Sequence, residues 1–532
     1  MSGGLLWIVA ILVVGVLIWV AFRGFVVGGS VARAIERRLG GFRQQANAID
    51  ASLPREVAGN APRVAVIGGG LAGIGAAATL AERGIEVSLF ERNGYLGGKI
   101  GAWKEDVGAT QHTVDHGFHA FFRQYYNLNR FLVRLGISEH FAAIEDYLIL
   151  DAEGRPWSFG DVSTTPVLNI LDLGRRGFFR WRDVVRKRTR TRLESFVRFD
   201  IEHTYAAFDD MTFQQLCDDA ALPAELRVSF RTFARAFFSD EVDLSAADVL
   251  RAFHFYYLSH DHGLMYDYPR GDYETAVVTP MRAHLDAHSV SVTLNADIRE
   301  IERGKERRFR IDGTEYDWVV LAASIPGMQQ IVAGSPWIAE SSPELASQLR
   351  SLETAHGYAV WRLWTDRDVR PGLPTFTNVE RRSILDSVTT YHRITDEARA
   401  WAAEHDGAVL ELHSYAIAPD VSDVRAAFLE DLEYYFPELV GMRIHHEVLQ
   451  VRDDFPAFAP GQRALRPSPE LPIQGLLVAG DWVKLPYPMT HMEAAFTSGV
   501  ASANVVFDDL RLQQEPIYTV APRGLLPAKP RT

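Results

Sequence analysis

Seventeen of the eighteen residues from Leu5 to Phe22 are apolar, Gly15 being the exception. Such a run predicts a helix of about 27 Å, just sufficient to span a hydrocarbon core. Positive charge follows it: Arg23, Arg33, Arg37, Arg38 and Arg43 stand against a single acid, Glu36. The preceding Met-Ser-Gly-Gly carries no charged side chain, whereas a cleaved signal peptide needs a basic flank there. The expectation is one uncleaved transmembrane anchor with its basic flank over 1–40. The rest of the chain would then lie on the cytoplasmic side of the cytoplasmic membrane. Residues 41–62 lack periodicity and read as a linker.

The pattern changes at Arg63. Val64–Ile67 is a short apolar run, followed by glycines, a small-residue helix pattern over Leu71–Arg83 and a second strand Val87–Phe90. This is the order of a βαβ unit. Residues 125–285 are largely helical in pattern, with long stretches at Glu194–Phe208 and Leu222–Phe238. Val290–Leu294 and Val319–Ala323 read as buried strands, and 355–450 mixes strands and helices. Gly475–Ala479 predicts a last apolar strand, and Met492–Asn504 a helix rich in small residues. The tail after Glu515 holds four prolines and reads as an irregular strap or as disordered.

Composition narrows the function. The 532 residues are 47% hydrophobic, enough to bury a sizeable core, and the net charge of −13 argues against a general nucleic-acid binder. A single cysteine, Cys217, excludes an internal disulfide, a Cys-based zinc site and an iron–sulfur cluster. One tract opposes the acidic background: nine basic residues from Arg175 to Arg192, interleaved with Phe178, Phe179 and Trp181. It reads either as a solvated helix face or as a patch for anionic lipid heads, and the anchor favours the second.

Gly68, Gly70 and Gly73 form G-x-G-x-x-G between a predicted strand and a predicted helix. The glycines permit a tight turn, close approach of a pyrophosphate and close helix–strand packing, while the helix N-terminus attracts the phosphates. Glu91, 18 residues after Gly73, stands at the end of the second strand, where a carboxylate accepts hydrogen bonds from ribose hydroxyls. Together they predict a dinucleotide site.

The continuation Glu91-Arg92-Asn93-Gly94-Tyr95-Leu96-Gly97-Gly98-Lys99 resembles that of flavin-dependent amine oxidases and carotenoid desaturases. The strand Gly475–Asp481 and the helix around Glu493–Gly499 resemble the same families' C-terminal flavin motif. The resemblance implies non-covalent FAD held by Gly68, Gly70, Gly73, Glu91, Arg92, Gly97, Gly98, Lys99, Gly480, Asp481 and Glu493. It also implies an α/β fold. A discontinuous Rossmann-like FAD-binding domain (63–150, 286–335 and 455–510) would carry an inserted mixed α+β substrate domain (151–285 and 336–454), and 511–532 would form a Pro-rich tail. Within the superfamily the chain is most similar to the bacterial carotene desaturase/methyltransferase branch of the isorenieratene-synthase type. Val114-Asp115-His116-Gly117-Phe118-His119, Phe255-Tyr256-Tyr257-Leu258, Ala479-Gly480-Asp481-Trp482 and Pro522-Arg523-Gly524 carry that likeness.

That branch implies desaturation, or aromatisation of the end ring, of a carotenoid or other polyisoprenoid drawn from the bilayer. Oxygen or a quinone would accept the electrons. A hydrocarbon has no polar handle, so recognition must come from an apolar tunnel. The candidates for the chemistry are His119 as general base, Glu493 as charge partner of a developing cation, His491, and Asp115. His112, His116 and His119 would share a helix face and hint at a metal, but Gly117 among them argues for a turn lining the flavin pocket. His116 and Arg123 are further pocket candidates. Two other classes fit the same motifs: an amine or polyol oxidase, and a flavin-bearing electron carrier or scaffold without its own substrate.

Overall fold

A computed structural model describes residues 24–528 apart from 109, 161, 178–179, 181, 183–193 and 223. The apolar run Leu5–Phe22 and most of the Arg175–Arg192 tract lie outside the described residues. Among the described residues no helix is long and apolar enough to cross a membrane.

The strands read from the sequence at 64–67, 87–90, 290–294, 319–323 and 475–479 come together in one parallel sheet. Its order is Ser291–Thr293, Glu86–Phe90, Arg63–Ile67, Trp318–Leu321, Leu476–Val478. The central strands are apolar throughout because both faces are covered. Val64 and Val66 pack with Ile74 and Val500 on one side, and Ala65 and Ile67 pack with Ile325 and Met328 on the other. On the first side, the helices Leu71–Ala81 and His491–Asp509 lie against each other through Ala72, Ala76 and Gly499. Small side chains there admit close backbone approach, so sequence separation is no obstacle to building one layer.

A second sheet has the order Ile444–Arg452, Tyr358–Thr365, Ala408–Ser414, Ser387–Thr390, Phe376–Val379, Leu148–Leu150, Pro156–Ser158. The strand Leu148–Leu150 pairs here, parallel to Phe376–Val379, although it lies on the amino side of the division expected at 150. Alternation assigns the faces. Ala359, Trp361, Leu363, Leu410 and Leu412 pack on Phe428 and Leu432 of the helix Val424–Tyr435, while Tyr358, Val360, Arg362, Glu411 and His413 take the opposite face, toward the first sheet.

One expectation is corrected and one pair of alternatives is decided: residues 41–62 are not a free linker, and the tail through 528 is the irregular strap. Gln44–Gln45 pairs antiparallel with Tyr518–Thr519, Phe42 is buried, and Asn47 hydrogen-bonds to Gln514 and Glu515. The Glu515 carboxylate lies 2.7 Å from Arg83 and 3.6 Å from Arg130 and Arg134. Both segments lack periodicity because each finds its partner at the other end of the chain, a pairing that no local pattern records.

Candidate active site

One cavity runs from the carboxyl ends of the parallel strands to the inner face of the second sheet, and about 390 Å³ of it is open to the centres of water molecules. In open α/β sheets ligands bind at this end. Ile67, Gly68, Gly70, Glu91, Arg92, Gly97, Gly98, Lys99, Gly480 and Asp481 all line it. Gly73 does not: it sits one turn into the helix, where an added Cβ would stand 1.8 Å from the Gly68 carbonyl oxygen. Its part is helix packing.

The nucleotide end fits FAD. Gly70 caps the helix Leu71–Ala81 without any side-chain acceptor, so the first-turn N–H groups face the cavity uncapped. The second glycine pair reaches the same place: Gly97 N–H donates to the Gly69 carbonyl at 2.8 Å, and a Cβ on Gly98 (φ +57°) would stand 2.9 Å from Gly70 Cα. The Glu91 carboxylate is held in position by N–H donors from Gly69 at 2.7 Å and Asn93 at 2.8 Å. A carboxylate has acceptor capacity left after two such bonds, which suits ribose hydroxyls. Midway along the cavity, Lys99 Nζ lies 3.6 Å from Asp481 Oδ2 and donates to the Asp454 carbonyl at 3.1 Å.

The far end is aromatic. Phe118, Phe122, Tyr125, Tyr147, Phe237, Phe238, Tyr256, Tyr358, Tyr415 and Phe455 form most of its wall. His116 to His119 is a turn, with Gly117 at φ +123°, and not a helix face. His112 lies on the adjacent strand Thr110–Asp115, against Thr110 and Trp364.

The structure redistributes the expected catalytic roles. Glu493 is 1% exposed and does not line the cavity. Its carboxylate accepts from the backbone N–H groups of Asn127 and Leu128, at 2.9 and 3.1 Å, and from the Asn127 side chain at 2.7 Å. It therefore caps the helix Tyr126–Arg134. Glu493 is neither a flavin contact nor a charge partner for substrate, because one residue of helical rotation turns it away from the pocket side of Met492 and Ala495. Asp115 is likewise behind the wall: it accepts from Gly117 N–H at 3.1 Å, from Arg362 at 2.8 Å and from the Tyr391 hydroxyl. It shapes the turn without touching the cavity.

His119 and His491 do line the cavity, but as neutral rings. His119 Nδ1–H donates to the Gly117 carbonyl at 2.6 Å, and burial pushes the imidazole down to about 4. It is not the near-neutral base expected of a free imidazole. His491 uses both nitrogens. Nε2–H donates to the Ala236 carbonyl at 2.9 Å, and Nδ1 accepts from the Tyr256 hydroxyl at 3.1 Å. Burial lowers it to about 4 as well. Tyr256 in turn accepts from Thr490 at 2.9 Å and meets the Tyr125 hydroxyl at 2.8 Å. His116 lines the wall, pushed down to about 3 by burial and by nearby Arg452. Arg123 is not among the lining residues and lies 3.5 Å from Asp267.

Arg362, Glu411 and His413 form the part of the site that the sequence reading passed over. Arg362 bridges Asp115 and Glu411, and Glu411 also accepts from Phe118 N–H at 2.8 Å and from His413 at 2.9 Å. Their signal was present as Arg362 in the mostly apolar strand Tyr358–Thr365 and as Glu411 and His413, two apart, in the mostly apolar strand Ala408–Ser414. A polar side chain facing inward from such a strand marks a buried network.

Comparison with known proteins agrees with this geometry. The family of flavin containing amine oxidoreductases matches residues 71–507. A carotenoid phi-ring synthase of Streptomyces griseus is 34% identical over 476 residues, covering 88% of this chain and 92% of that protein. A second carotenoid phi-ring synthase, from Chlorobaculum tepidum, is 27% identical over 600 residues, covering 87% and 91%. Among solved structures, cyclohexylamine oxidase from Brevibacterium oxydans superposes with a TM-score of 0.58 at 16% identity, covering 85% of this chain and all of that one. That likeness concerns the fold.

Proposed function

The chain belongs to the flavin containing amine oxidoreductase family and is an FAD-dependent oxidoreductase, and we propose that it oxidises the end ring of a carotenoid or related polyisoprenoid. The near-full-length similarity to two carotenoid phi-ring synthases carries this reading. The aromatic far wall of the cavity supports it, since a hydrocarbon ring is recognised by apolar contact and by the faces of π-systems, which also stabilise a developing cation.

Bound FAD supplies a two-electron oxidation. The chain holds it and presents the substrate. Glu91 would hold the ribose hydroxyls, the uncapped N–H groups after Gly70 and the glycines around Gly98 would hold the pyrophosphate, and Asp481 and Lys99 would hold a further polar part of the cofactor. The aromatic chamber beyond orients the ring and excludes water.

Membrane attachment is part of the proposal. Leu5–Phe22 and the arginines after it support a single-pass anchor with the enzyme on the cytoplasmic side, close to a bilayer-borne substrate and to oxygen or a quinone as electron acceptor. Expression in a carotene-producing host tests the activity. Pigments lighter by whole pairs of hydrogens support it, whereas unchanged pigments together with rapid oxidation of small amines by the purified protein overturn it.

A further inference from the structure

The second sheet presents an acid–histidine pair that the FAD-holding residues do not use. Glu411 and His413 are two apart on the strand Ala408–Ser414 and so share a face. His413 lines the cavity, and its Nε2 lies 2.9 Å from Glu411 Oε1. A carboxylate only accepts, so Nε2 carries the hydrogen and Nδ1 the lone pair. Among the described residues Nδ1 has no hydrogen-bond partner.

The cluster behind the ring fixes its orientation. Arg362 is shared by two buried carboxylates, Asp115 at 2.8 Å and Glu411 through both Nε and Nη2. Glu411 thus accepts from the guanidinium on one side and from the His413 ring on the other, which holds the ring in place. Arg362 and His413 together hold the Glu411 carboxyl at about 2, whereas burial pushes Asp115 up. The other cavity histidines differ: His119 donates to a carbonyl, His491 has both nitrogens engaged, and burial, with Arg452 nearby, pushes His116 down. Access is also built in. The ring lines the cavity, and a Cβ on Gly117 would stand 3.1 Å from its Cε1, so a larger residue in the turn would crowd it.

We infer that His413, oriented by Glu411, is the proton acceptor of the oxidation, its Nδ1 taking the proton that the substrate ring gives up for each double bond formed. This rests on the carotenoid reading above. Each new double bond removes one hydrogen with its electron pair, for which the family's FAD is the oxidant, and a second hydrogen as a proton. In that second event the C–H bond breaks heterolytically, its electrons become the new π bond, and the proton bonds to Nδ1. The proton returns to water before the next turnover.

The test uses full-length holoenzyme and a cyclic carotene in detergent micelles. His413→Gln keeps a donor for Glu411 but has no basic nitrogen, and His413→Ala opens the space. Both variants should retain FAD, and His413→Gln should keep a near wild-type melting temperature, while turnover falls by about 10²–10⁴-fold in both. Added imidazole should restore part of the rate in His413→Ala and none in His413→Gln. Near-normal turnover in His413→Gln overturns the inference, as does FAD loss in both variants, which makes the residue structural. Wild-type enzyme that leaves every carotene unchanged defeats the substrate reading on which the inference rests. An active wild type with an equally active His413→Gln defeats the inference alone.

Discussion

Asn127 gives both its backbone N–H and its side-chain amide to the carboxylate of Glu493, at 2.9 and 2.7 Å. The two residues are 366 positions apart, and the contact ties the helix Tyr126–Arg134 to the helix His491–Asp509. Burial pushes the Glu493 carboxyl from its ordinary 4.5 up to about 8, against the three N–H donors that favour its ionised form. An acid raised in the folded state contributes stability below its unfolded value and loses it as pH rises through the folded one. Thermal stability should therefore decline between about pH 4.5 and 8. Glu493→Gln should flatten that slope while leaving FAD bound. Melting curves across this range decide it; an unchanged slope in the variant removes Glu493 as its source.

Glu91→Gln should weaken FAD binding more than folding. The carboxylate accepts from Gly69 and Asn93 and has capacity left for the ribose. Replacing a charge-assisted bond of about 1.5–3 kcal/mol corresponds to roughly 10- to 100-fold in Kd. Titration of the apoprotein with FAD, followed by flavin fluorescence, reads this directly.

FAD should leave on acid precipitation. Cys217 lies on the helix Phe213–Ala220 outside the cavity wall, and burial pushes its thiol up to about 12, so it is no nucleophile toward a flavin. Yellow colour should pass entirely to the supernatant; colour retained in the pellet contradicts non-covalent binding.

Arg362→Met should be severe. It removes the one guanidinium between Asp115 and Glu411 and leaves two buried carboxylates facing each other. Breaking a buried pair costs about 3–5 kcal/mol. The melting temperature should drop, and the His116–His119 turn, whose Phe118 N–H rests on Glu411, should loosen. Proteolysis within 116–122 would report the second effect.

Truncation separates anchor from globule. A chain beginning at residue 24 should leave the membrane fraction yet keep FAD. A chain beginning at residue 62 should be much less stable, because it loses the Gln44–Gln45 pairing and the Asn47 contacts with the tail. If the longer chain remains with membranes, the Leu5–Phe22 run is not the sole attachment. Equal stability of the two would show that the packed linker contributes nothing.

The βαβ core was legible in the amino-acid order because its information is local. An apolar run, a glycine turn, a small-residue helix and a terminal acid each obey a short-range rule, and Gly68, Gly70 and Glu91 stand where those rules place them. The same holds for the last strand and for Gly480 and Asp481. Side-chain direction was not legible at that range. Glu493 and Met492 are neighbours, yet one caps a distant helix and the other faces the cavity, a distinction set by how His491–Asp509 seats on its neighbours. Protonation was hidden for the same reason: burial makes His119 and His491 neutral, against the carbonyls of Gly117 and Ala236, which by accepting from the rings favour the charged form. The Glu411–His413 pair and its shared arginine arise only when Tyr358–Thr365 and Ala408–Ser414 pair in register, setting Arg362 opposite Glu411 and Val360 opposite His413. Hydrogen bonds between strands decide which side chains share a face and a charge, and those pairings join residues far apart in the chain.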